Sequence, residues 1–283
     1  MKKILLKVFN IDFLYQVSSF FTFFTKSKFI RRNHNWQLYK TRSGIFLWFN
    51  NNGYLQRKIV KYSVWEKRTT DIIKLFLKKG DVFIDVGANI GYMSIIASKI
   101  VGEEGIVLAF EPTSKYMDQL KMNIRENKIH NCKLFNVGLS DQVETAFIHI
   151  GESSATLHKF GNDNGIEEKI KLIKFDDIFG TLGILKIDFI KVDVDGHEFA
   201  FIKGAINNIK KFKPVMLLEV NHANYFKAGV ILWEFYNYLK TIGFYIYSED
   251  NLEEIKTIEM FLLKCGNFTH SHNILLSFNK ISL

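Results

Sequence analysis

A segment of eleven residues, 81–91, combines residue types that suit the binding of a nucleotide-like cofactor. An apolar strand pattern runs into the acidic residue Asp85, and Gly87, Asn89 and Gly91 follow within a tight turn. An apolar helical pattern begins directly after this turn. A strand, a glycine-containing turn and a helix in this order bring the backbone close to a bound ligand, so the segment predicts a cofactor cradle.

A second acidic residue, Glu111, ends the next apolar strand pattern and lies 20 residues after Gly91. In dinucleotide-binding folds a carboxylate at about this distance accepts hydrogen bonds from ribose hydroxyls. A carboxylate can accept from two adjacent hydroxyls at once. We therefore predict that Glu111 binds a ribose, and that Asp85 contacts an ammonium group or a loop amide.

The turn departs from the dinucleotide fingerprint at two of its three glycine positions, which here hold Gly87, Asn89 and Tyr92. The second glycine of the fingerprint lets the backbone approach a pyrophosphate, and a side chain obstructs that approach. S-adenosylmethionine contains ribose and adenine but no phosphate, so it fits the turn better than a dinucleotide. A nicotinamide-dependent oxidoreductase and a purely structural turn are the alternative interpretations.

Further polar residues follow the later strand patterns, at the carboxyl edge where open α/β sheets bind ligands. Asp141 follows the third strand, Asp193 lies at the end of the fourth, and Glu219 lies within the apolar fifth strand. We predict that Asp141 accepts the adenine amino hydrogen and that Asp193 orients the methionine end of the cofactor. A buried carboxylate is costly unless it is paired or used, which makes Glu219 a functional candidate.

Two histidines, His197 and His222, follow edge carboxylates and are the candidates for a general base. Histidine changes its charge near neutral pH, and a hydroxyl acceptor needs help to lose its proton. The alternative interpretation is that each histidine only caps a helix or packs in the core. The candidate catalytic residues are thus His197, His222, Asp193 and Glu219.

Five segments, DVFIDVGANIGYMS, AFEP, NVGLSD, IKVDVDGHEFAFIKGA and PVMLLEVN, occur in this order within residues 60–280. Together they resemble the FkbM family of S-adenosylmethionine-dependent methyltransferases. The resemblance implies a Rossmann-like α/β fold of class I, with helices on both faces of a mostly parallel seven-stranded sheet and an antiparallel final strand. It also implies O-methylation of a sugar, glycolipid or polyketide hydroxyl. By motif match the cofactor-binding residues are Asp85, Gly87, Asn89, Gly91, Glu111 and Asp141, to which we add Asp193.

Some related sugar O-methyltransferases hold magnesium with an aspartate after the fourth strand and two acids after the fifth. Asp193 and Glu219 match two of these positions, but Asn221 replaces the second acid, so no metal is predicted. Methylation of base amino groups usually uses an Asn/Asp-Pro-Pro-Tyr loop after the fourth strand. That position here reads Asp-Val-Asp-Gly and has no proline, which disfavours methylation of a base amino group. N-methylation of protein or nucleic acid is kept as an alternative. A further alternative is a catalytically inactive binding module that is attached to a membrane.

The net charge of +9 is unevenly distributed, because residues 1–80 carry +14 and residues 81–283 carry −5. A nucleic-acid enzyme needs a basic cleft around its cofactor, so nucleic acid is not a predicted partner. Within residues 4–24 apolar side chains recur at helical spacing between flanking Lys and Arg. This pattern predicts an amphipathic helix that lies on an anionic membrane, or one that packs on its own domain or on a second subunit in a homo-oligomer.

The pattern predicts two regions, a basic extension over residues 1–60 and a methyltransferase domain over residues 61–283. We expect a hairpin with its turn at Asn50–Gly53, a helix over Tyr62–Lys78 and a strand over Met260–Lys264. Residues 151–165 are rich in Gly, Ser and Asn and are expected to cover the substrate. The two cysteines lack zinc spacing, and no apolar run is long enough for a spanning helix, so a cytoplasmic protein is expected.

Overall fold

The computed structural model describes residues 29–33, 36–49, 53–151, 155–157 and 166–281. The chain divides into two compact units, Met1–Trp65 and Glu66–Leu283. The amphipathic helix predicted within residues 4–24 lies outside the described residues. So do most of the substrate cover predicted over residues 151–165 and the tip of the hairpin turn predicted at residues 50–52.

The described part of the first unit contains three antiparallel strands and one helix. These are β1 (Phe29–Asn33), β2 (Trp36–Lys40), β3 (Phe46–Phe49) and α1 (Tyr54–Tyr62). The turn that joins β2 to β3 spans residues 41–45, where Gly44 has a φ of 81° and Thr41 Oγ1 accepts from the Ile45 amide at 3.0 Å. The hairpin expected around residues 50–53 was wrong, because helix α1 rather than a second strand follows Gly53.

The second unit contains eleven of the described strands and nine of the described helices. The strands are β4 (Val82–Val86), β5 (Ile106–Phe110), β6 (Cys132–Phe135), β7 (Gly138–Leu139), β8 (Glu144–Ile150), β9 (Ala155–Thr156), β10 (Ile166–Ile173), β11 (Phe189–Val192), β12 (Val215–Val220), β13 (Tyr245–Ser248) and β14 (His272–Ser277). The helices are α2 (Lys67–Phe76), α3 (Tyr92–Val101), α4 (Ser114–Glu126), α5 (Phe175–Ile178), α6 (Glu198–Gly204), α7 (Ile206–Phe212), α8 (His222–Lys227), α9 (Leu232–Ile242) and α10 (Ile258–Cys265).

Seven strands form the main sheet in the order β13-β14-β12-β11-β4-β5-β6. The pairs among β12, β11, β4, β5 and β6 are parallel, whereas β14 is antiparallel to both β12 and β13. This order and the reversed last strand confirm the predicted Rossmann-like class I fold. The connections reverse direction between β4 and β11, and open α/β sheets bind their ligands in the crevice at such a point.

The main sheet is apolar along whole strands because helices cover both of its faces. Phe83, Ile84, Leu108, Ile190 and Leu218 are fully buried, and the rings of Phe83 and Phe189 stack with centroids 5.6 Å apart. Charged residues inside these strands are therefore exceptions that need a partner or a role.

A second sheet has the order β7-β10-β8-β9 and begins only two residues after β6 ends. Strand β7 pairs in parallel with β10, so Asp141 follows a strand of this smaller sheet rather than one of the main sheet. The loop that carries Asp141 joins β7 to β8, two strands of this smaller sheet.

Two elements of the second unit differ from expectation. The strand expected over Met260–Lys264 was wrong, because these residues lie within α10. Phe261 and Cys265, one helical turn apart, are buried while Leu263 is exposed, and Thr257 Oγ1 caps the helix at the Met260 amide. The helix expected over Tyr62–Lys78 is interrupted at residues 63–66.

Among the residues that the structure describes, none of the helices has both the length and the hydropathy needed to cross a membrane.

Candidate functional site

The turn between β4 and α3 uses four of its backbone amides inside the protein. Gly87 and Ala88 both donate to the Phe110 carbonyl at 3.0 Å, Asn89 donates to Glu111 Oε2 at 2.9 Å, and Gly91 donates to Ala88 at 2.8 Å. Phosphate-binding turns instead point such amides at the ligand. The turn is therefore built against a neighbouring strand end and not as a cradle for phosphate.

Gly87 is the point of closest approach between the turn and the end of β11. A Cβ placed on Gly87 would lie 1.9 Å from the Asp193 carbonyl oxygen, and its φ of 80° is one that side chains rarely adopt. Gly91 is similarly confined, since a Cβ there would lie 2.2 Å from Leu120 Cδ1. Asn89 takes a left-handed φ of 50°, which Asn tolerates better than most residues.

Glu111, the predicted ribose-binding residue, is 4% exposed and lies where β5 meets α4. Its Oε2 accepts from the Asn89 amide, and its Oε1 accepts from the amide and the hydroxyl of Thr113 at 3.0 and 2.7 Å. Burial raises the pKa of the carboxyl, and these hydrogen bonds oppose the rise. A carboxylate has about four acceptor positions, so Glu111 keeps one for a further donor.

Asp85 is fully buried in β4, below the turn. Its Oδ2 accepts from Ser94 Oγ at 2.5 Å, and its Oδ1 lies 3.9 Å from Lys191 Nζ. Burial raises the pKa of Asp85, whereas the ammonium of Lys191 lowers it. The structure therefore gives Asp85 protein partners under the turn, in addition to the ligand contact predicted for it.

Lys191 was not among the predicted site residues, and it lies at the centre of the carboxylates. Its Nζ donates to Asp193 Oδ2 at 3.0 Å, and its side chain is 7% exposed. Burial by itself would lower the pKa of Lys191, but the charges of Asp193, Asp85 and Glu66 raise it above its ordinary value. Lys191 is thus a permanent cation that several acids share.

The strand registers place these charges side by side. Lys191 pairs with Asp85 on β4. Asp193 and Glu219 come directly after the last pair of β11 with β12, which joins Val192 to Leu218. Residues two apart in a strand point to the same face. The spacing Lys-Val-Asp in an otherwise apolar strand was the signal in the sequence that could have identified Lys191.

The acids around Asp193 are buried and resist ionisation. Burial raises the pKa of Glu66 to about 7, of Asp195 to about 7 and of Glu198 to about 8, and the charge of Asp193 adds to each rise. Burial and the same neighbours also raise the pKa of Glu219 well above its ordinary value. The site thus concentrates carboxyl groups at the carboxyl edge of the sheet, and those with raised pKa values gain their charge only as the pH rises through the neutral range.

An open cleft of about 300 Å³ adjoins these acids in the second unit. Glu66, Glu219 and Glu249 lie on one part of its lining, and Arg68 and Lys264 lie on another. Neither Glu66 nor Glu249 was among the predicted site residues, and no sequence pattern pointed to Glu249. Such a residue becomes visible only when the turn after β13 is folded against α2, where Thr69 donates to Glu249 at 2.6 Å.

Asp141 and His197 lie together at the other side of the edge. Asp141 forms an ion pair with Lys203 at 2.5 Å, and His197 Nε2 lies 2.9 Å from Ser140 Oγ. Partial burial opposes ionisation of Asp141, but Lys203 lowers its pKa below the ordinary value. A Cβ on Gly204 would lie 1.8 Å from the Ser140 carbonyl oxygen, so helix α6 holds this loop closely.

His222 begins helix α8, directly after β12, and its ring is fixed on two sides. Nδ1 lies 2.7 Å from the Gly266 carbonyl oxygen, and the ring stacks on Phe268 with centroids 3.8 Å apart. A carbonyl oxygen only accepts, so the hydrogen of the neutral ring lies on Nδ1 and the lone pair lies on Nε2. The two candidate bases therefore differ, because the hydroxyl partner of His197 leaves its tautomer open.

The structure brings together Asp85, Gly87, Asn89, Gly91, Glu111, Asp193 and Glu219 around the turn and the adjoining strand ends. Helix α8 reaches the same edge, since Asn224 Nδ2 donates to Asp195 Oδ1 at 3.0 Å. In the described part of the chain, no three Asp, Glu, His or Cys side chains form a group suited to a metal ion.

This donor set fits S-adenosylmethionine better than a phosphate-bearing cofactor. The ionised form of these acids repels phosphates but attracts the positive sulfonium and ammonium groups, and a bound cation in turn favours that ionised form. The remaining acceptor position on Glu111 suits a ribose hydroxyl. The close contact of Gly87 with the Asp193 backbone places Asp193 directly beside the turn.

The comparisons with known proteins agree on one enzyme class. The profile described as methyltransferase FkbM domain matches residues 85–268. Hexuronic acid methyltransferase AglP of Haloferax volcanii is 28% identical over 176 residues, which cover 59% of this chain and 71% of that protein.

Two solved structures are also similar to this chain. A methyltransferase of Streptococcus mutans in complex with SAH has a TM-score of 0.45 at 12% identity and covers 75% of this chain and 96% of that one. Methyltransferase FkbM of Methylobacillus flagellatus KT has a TM-score of 0.45 at 14% identity, over 77% of this chain and 52% of that one.

Proposed function

The chain belongs to the FkbM methyltransferase family and takes its methyl group from S-adenosylmethionine, and on this premise we propose that it methylates a hydroxyl of a sugar or glycoconjugate. The observation that carries the proposal is the fixed tautomer of His222 at the carboxyl edge of the sheet. A sugar hydroxyl is a weak nucleophile, and a lone pair held ready on Nε2 is what such an acceptor requires.

The donor site in this proposal comprises the turn and the neighbouring strand ends. Glu111 accepts from a ribose hydroxyl with its remaining lone pair, and Asp141 accepts from the adenine amino group beside Lys203. Asp193, held by Lys191 at 3.0 Å, faces the ammonium group. Asp85 supports this arrangement from below through Ser94 and Lys191.

The reaction needs alignment and removal of one proton. When bound, S-adenosylmethionine supplies a methyl group that is already activated on a sulfonium. The protein holds the acceptor oxygen in line, an alignment worth roughly 7–11 kcal/mol in well-oriented systems. His222 Nε2 takes the proton of the acceptor hydroxyl, and the bond from Nδ1 to Gly266 together with the stack on Phe268 keeps the ring directed. His197, next to Ser140, is the second candidate for this role.

The class of acceptor is inferred from a relative and from the charge of the site. The relative from Haloferax volcanii is described as a hexuronic acid methyltransferase, which supports a sugar as the acceptor. The buried acids around Asp193 disfavour a nucleic acid, whose backbone carries one negative charge per nucleotide. Sugars thus fit both the chemistry and the electrostatics of the site.

The proposal is tested by incubating the purified protein with isotope-labelled S-adenosylmethionine and a panel of acceptors. The panel contains uronic-acid-containing oligosaccharides, neutral oligosaccharides, glycolipid extracts, a peptide mixture and transfer RNA. We expect label only in the sugar-containing samples, with a mass increase of one methyl group in place of one hydrogen. Excess S-adenosylhomocysteine is the control, because it competes for the donor site and carries no transferable methyl group.

Transfer of label to peptide or RNA alone would contradict the proposal. Within a labelled sugar, fragmentation by mass spectrometry locates the methyl group on a hydroxyl or on a carboxyl oxygen. A methyl ester would retain the sugar as the acceptor class but remove the need for a base, because a carboxylate is already deprotonated at neutral pH.

We also propose that the protein works in the cytoplasm and that its basic front segment, residues 1–28, binds anionic membranes. The support is the sequence alone, in which helical spacing of apolar residues is flanked by Lys and Arg. Flotation with vesicles of anionic lipid tests the idea, with vesicles of neutral lipid as the control. Equal recovery with both kinds of vesicle, or with neither, would remove it. Light scattering of the same sample tests for a homo-oligomer.

A further inference from the structure

Three aromatic side chains form a continuous surface beside the carboxyl edge of the sheet. The ring of Phe268 stacks on His222 at a centroid distance of 3.8 Å and an interplanar angle of 29°. The ring of Phe226 meets Phe268 edge to face, with centroids 6.0 Å apart and planes at 73°. We call His222, Phe226 and Phe268 the aromatic platform.

The two phenylalanines of the platform are more exposed than large apolar side chains usually are. Phe226 is 63% exposed and Phe268 is 54% exposed. Single exposed apolar residues are ordinary, but adjacent large ones often mark a binding surface. Here the exposed rings adjoin His222, the candidate base whose lone pair lies on Nε2.

The elements that carry the platform are anchored at the sheet edge. Asn221 caps α8 at the Asn224 amide at 3.1 Å and donates to Ser271 Oγ at 2.9 Å. Asn224 in turn donates to Asp195 Oδ1 at 3.0 Å. A Cβ on Gly196 would lie 2.7 Å from the Asn224 carbonyl oxygen, so α8 packs directly on the loop after β11. The platform is thus a preorganised surface at a defined position.

We propose that the aromatic platform binds the apolar face of a pyranose ring and so determines which acceptor hydroxyl reaches His222. This inference rests on the proposed sugar methylation. The C–H face of a pyranose carries partial positive charge, whereas the face of an aromatic ring carries partial negative charge. Because His222 already covers one face of Phe268, the sugar packs on the exposed Phe226 ring and the exposed edge of Phe268, where one of its hydroxyls meets Nε2 of the adjacent histidine.

Electrostatics distinguish a sugar from a nucleobase, which would also stack on such a surface. Helix α8 contacts the loop of buried acids at Asp195, and the pKa of Asp195 is raised by burial and by the charge of Asp193. A nucleic acid would bring several phosphates to this region at the cost of like-charge repulsion. A pyranose brings at most one carboxylate, so it meets less repulsion and is the favoured occupant.

The test measures ring binding separately from turnover. The probe is methyl β-glucuronide, added to the protein saturated with S-adenosylhomocysteine and observed by saturation-transfer NMR. We expect the strongest saturation on the hydrogens of the apolar ring face. The acyclic gluconate carries the same charge and more hydroxyls but has no ring, and it should show weak, evenly distributed saturation.

Substitutions identify the residues that are responsible. Phe268→Ala should weaken glucuronide binding by about tenfold, the scale of one good aromatic contact, and Phe268→Trp should retain it. Phe226→Ala removes the second ring without touching His222, and we expect a smaller loss in the same direction. Leu263→Ala is the matched control, because Leu263 is an apolar residue on neighbouring α10 that is 87% exposed. Affinity for S-adenosylhomocysteine should remain unchanged in all of these variants, which also shows that they are folded.

The outcomes separate the two proposals. Wild-type affinity for the glucuronide in both Phe→Ala variants overturns the platform, and so does equal binding of glucuronide and gluconate. Stronger binding of a single-stranded RNA oligonucleotide than of the sugar to the platform overturns it as well. Phe268-dependent sugar binding without methylation of any sugar leaves the platform standing and removes the proposed function. Sugar methylation at the wild-type rate in Phe268→Ala would support the proposed function and overturn the platform.

Discussion

At the scale of single residues, the site depends on carboxylates whose partners are already in place. Glu111 holds the Asn89 amide with one oxygen and Thr113 with the other. Asp193 is held by the buried Lys191. Each of these residues therefore has a structural task in addition to any contact with a ligand, and substitutions have to be chosen to separate the two.

Glu111→Gln should weaken binding of S-adenosylhomocysteine by roughly ten- to a hundredfold. The substitution keeps the side-chain shape but replaces one acceptor oxygen by a donor, and a hydrogen bond to a charged group is worth about 1.5–3 kcal/mol. Glu168→Gln is the matched control, because Glu168 also accepts from the start of α4, at Ser114, but on the surface. Calorimetric titration measures both, and equal affinities in wild type and Glu111→Gln would contradict the ribose assignment.

His222→Gln should lower kcat by about 10²–10⁴-fold while the affinity for S-adenosylhomocysteine stays constant. The glutamine side chain can still donate toward Gly266, but it cannot take a proton, and general-base catalysis contributes on this scale. His270 is an exposed histidine two residues after Phe268, and His270→Gln should leave turnover unchanged.

His197→Gln decides between the two histidines in the same assay. A loss of turnover in this variant, together with full activity of His222→Gln, would transfer the role of base to His197 beside Ser140.

At the scale of elements, the turn after β4 and the end of β11 form one unit, joined where Gly87 meets Asp193. Gly87→Ala should lower the free energy of unfolding by several kcal/mol and abolish donor binding. The new methyl group would lie 1.9 Å from a backbone oxygen, at a φ of 80° that alanine resists. Gly180→Ala is the control, since no atom lies within 4 Å of its added Cβ. Denaturant titration compares the two, and equal losses would show that the contact is not decisive.

The elements differ in how well the sequence predicts them. Strands β4, β5, β11 and β12 are apolar runs with an acid near or directly after their ends, so the pattern predicted these strands and their shared edge. Helix α10 was mistaken for a strand, because a run of five apolar and basic residues fits either periodicity. Only the tertiary structure shows that Phe261 and Cys265 face the core while Leu263 does not.

The site shows the same division. Asp85, Glu111, Asp193 and Glu219 stand out in the sequence because each interrupts or ends an apolar strand. Lys191 carries the same signal, a charged residue within an apolar strand, although it was not predicted. Glu249 and the partners of His222 could not be found in this way, because Gly266 and Phe268 approach from 44 and 46 residues further along the chain.

At the scale of the whole molecule, buried acids make stability depend on pH. The folded state raises the pKa of Glu198 from 4.5 to about 8, mainly by burial, so it binds this proton more tightly than the unfolded chain does. The free energy of unfolding should therefore fall as pH rises from about 4.5 to about 8. Asp195 contributes in the same direction up to about pH 7.

Glu198→Gln should flatten this dependence, measured by urea unfolding between about pH 5 and about pH 9. The variant should also be less stable at the acidic end, because Glu198 accepts from the amides of Val194 and Gly196 and glutamine can satisfy only one of them. The exposed Glu103→Gln serves as the control. An unchanged slope in Glu198→Gln would show that other groups dominate the pH dependence.

The inward-facing amides of the turn after β4 have a consequence for competition inside a cell. ATP, NAD and related metabolites share the adenosine half of the methyl donor and are abundant, but each of them carries phosphates. A turn whose amides at Gly87, Ala88, Asn89 and Gly91 are already engaged offers those phosphates little. Selectivity for the scarcer donor is thereby set when the chain folds, before any ligand arrives.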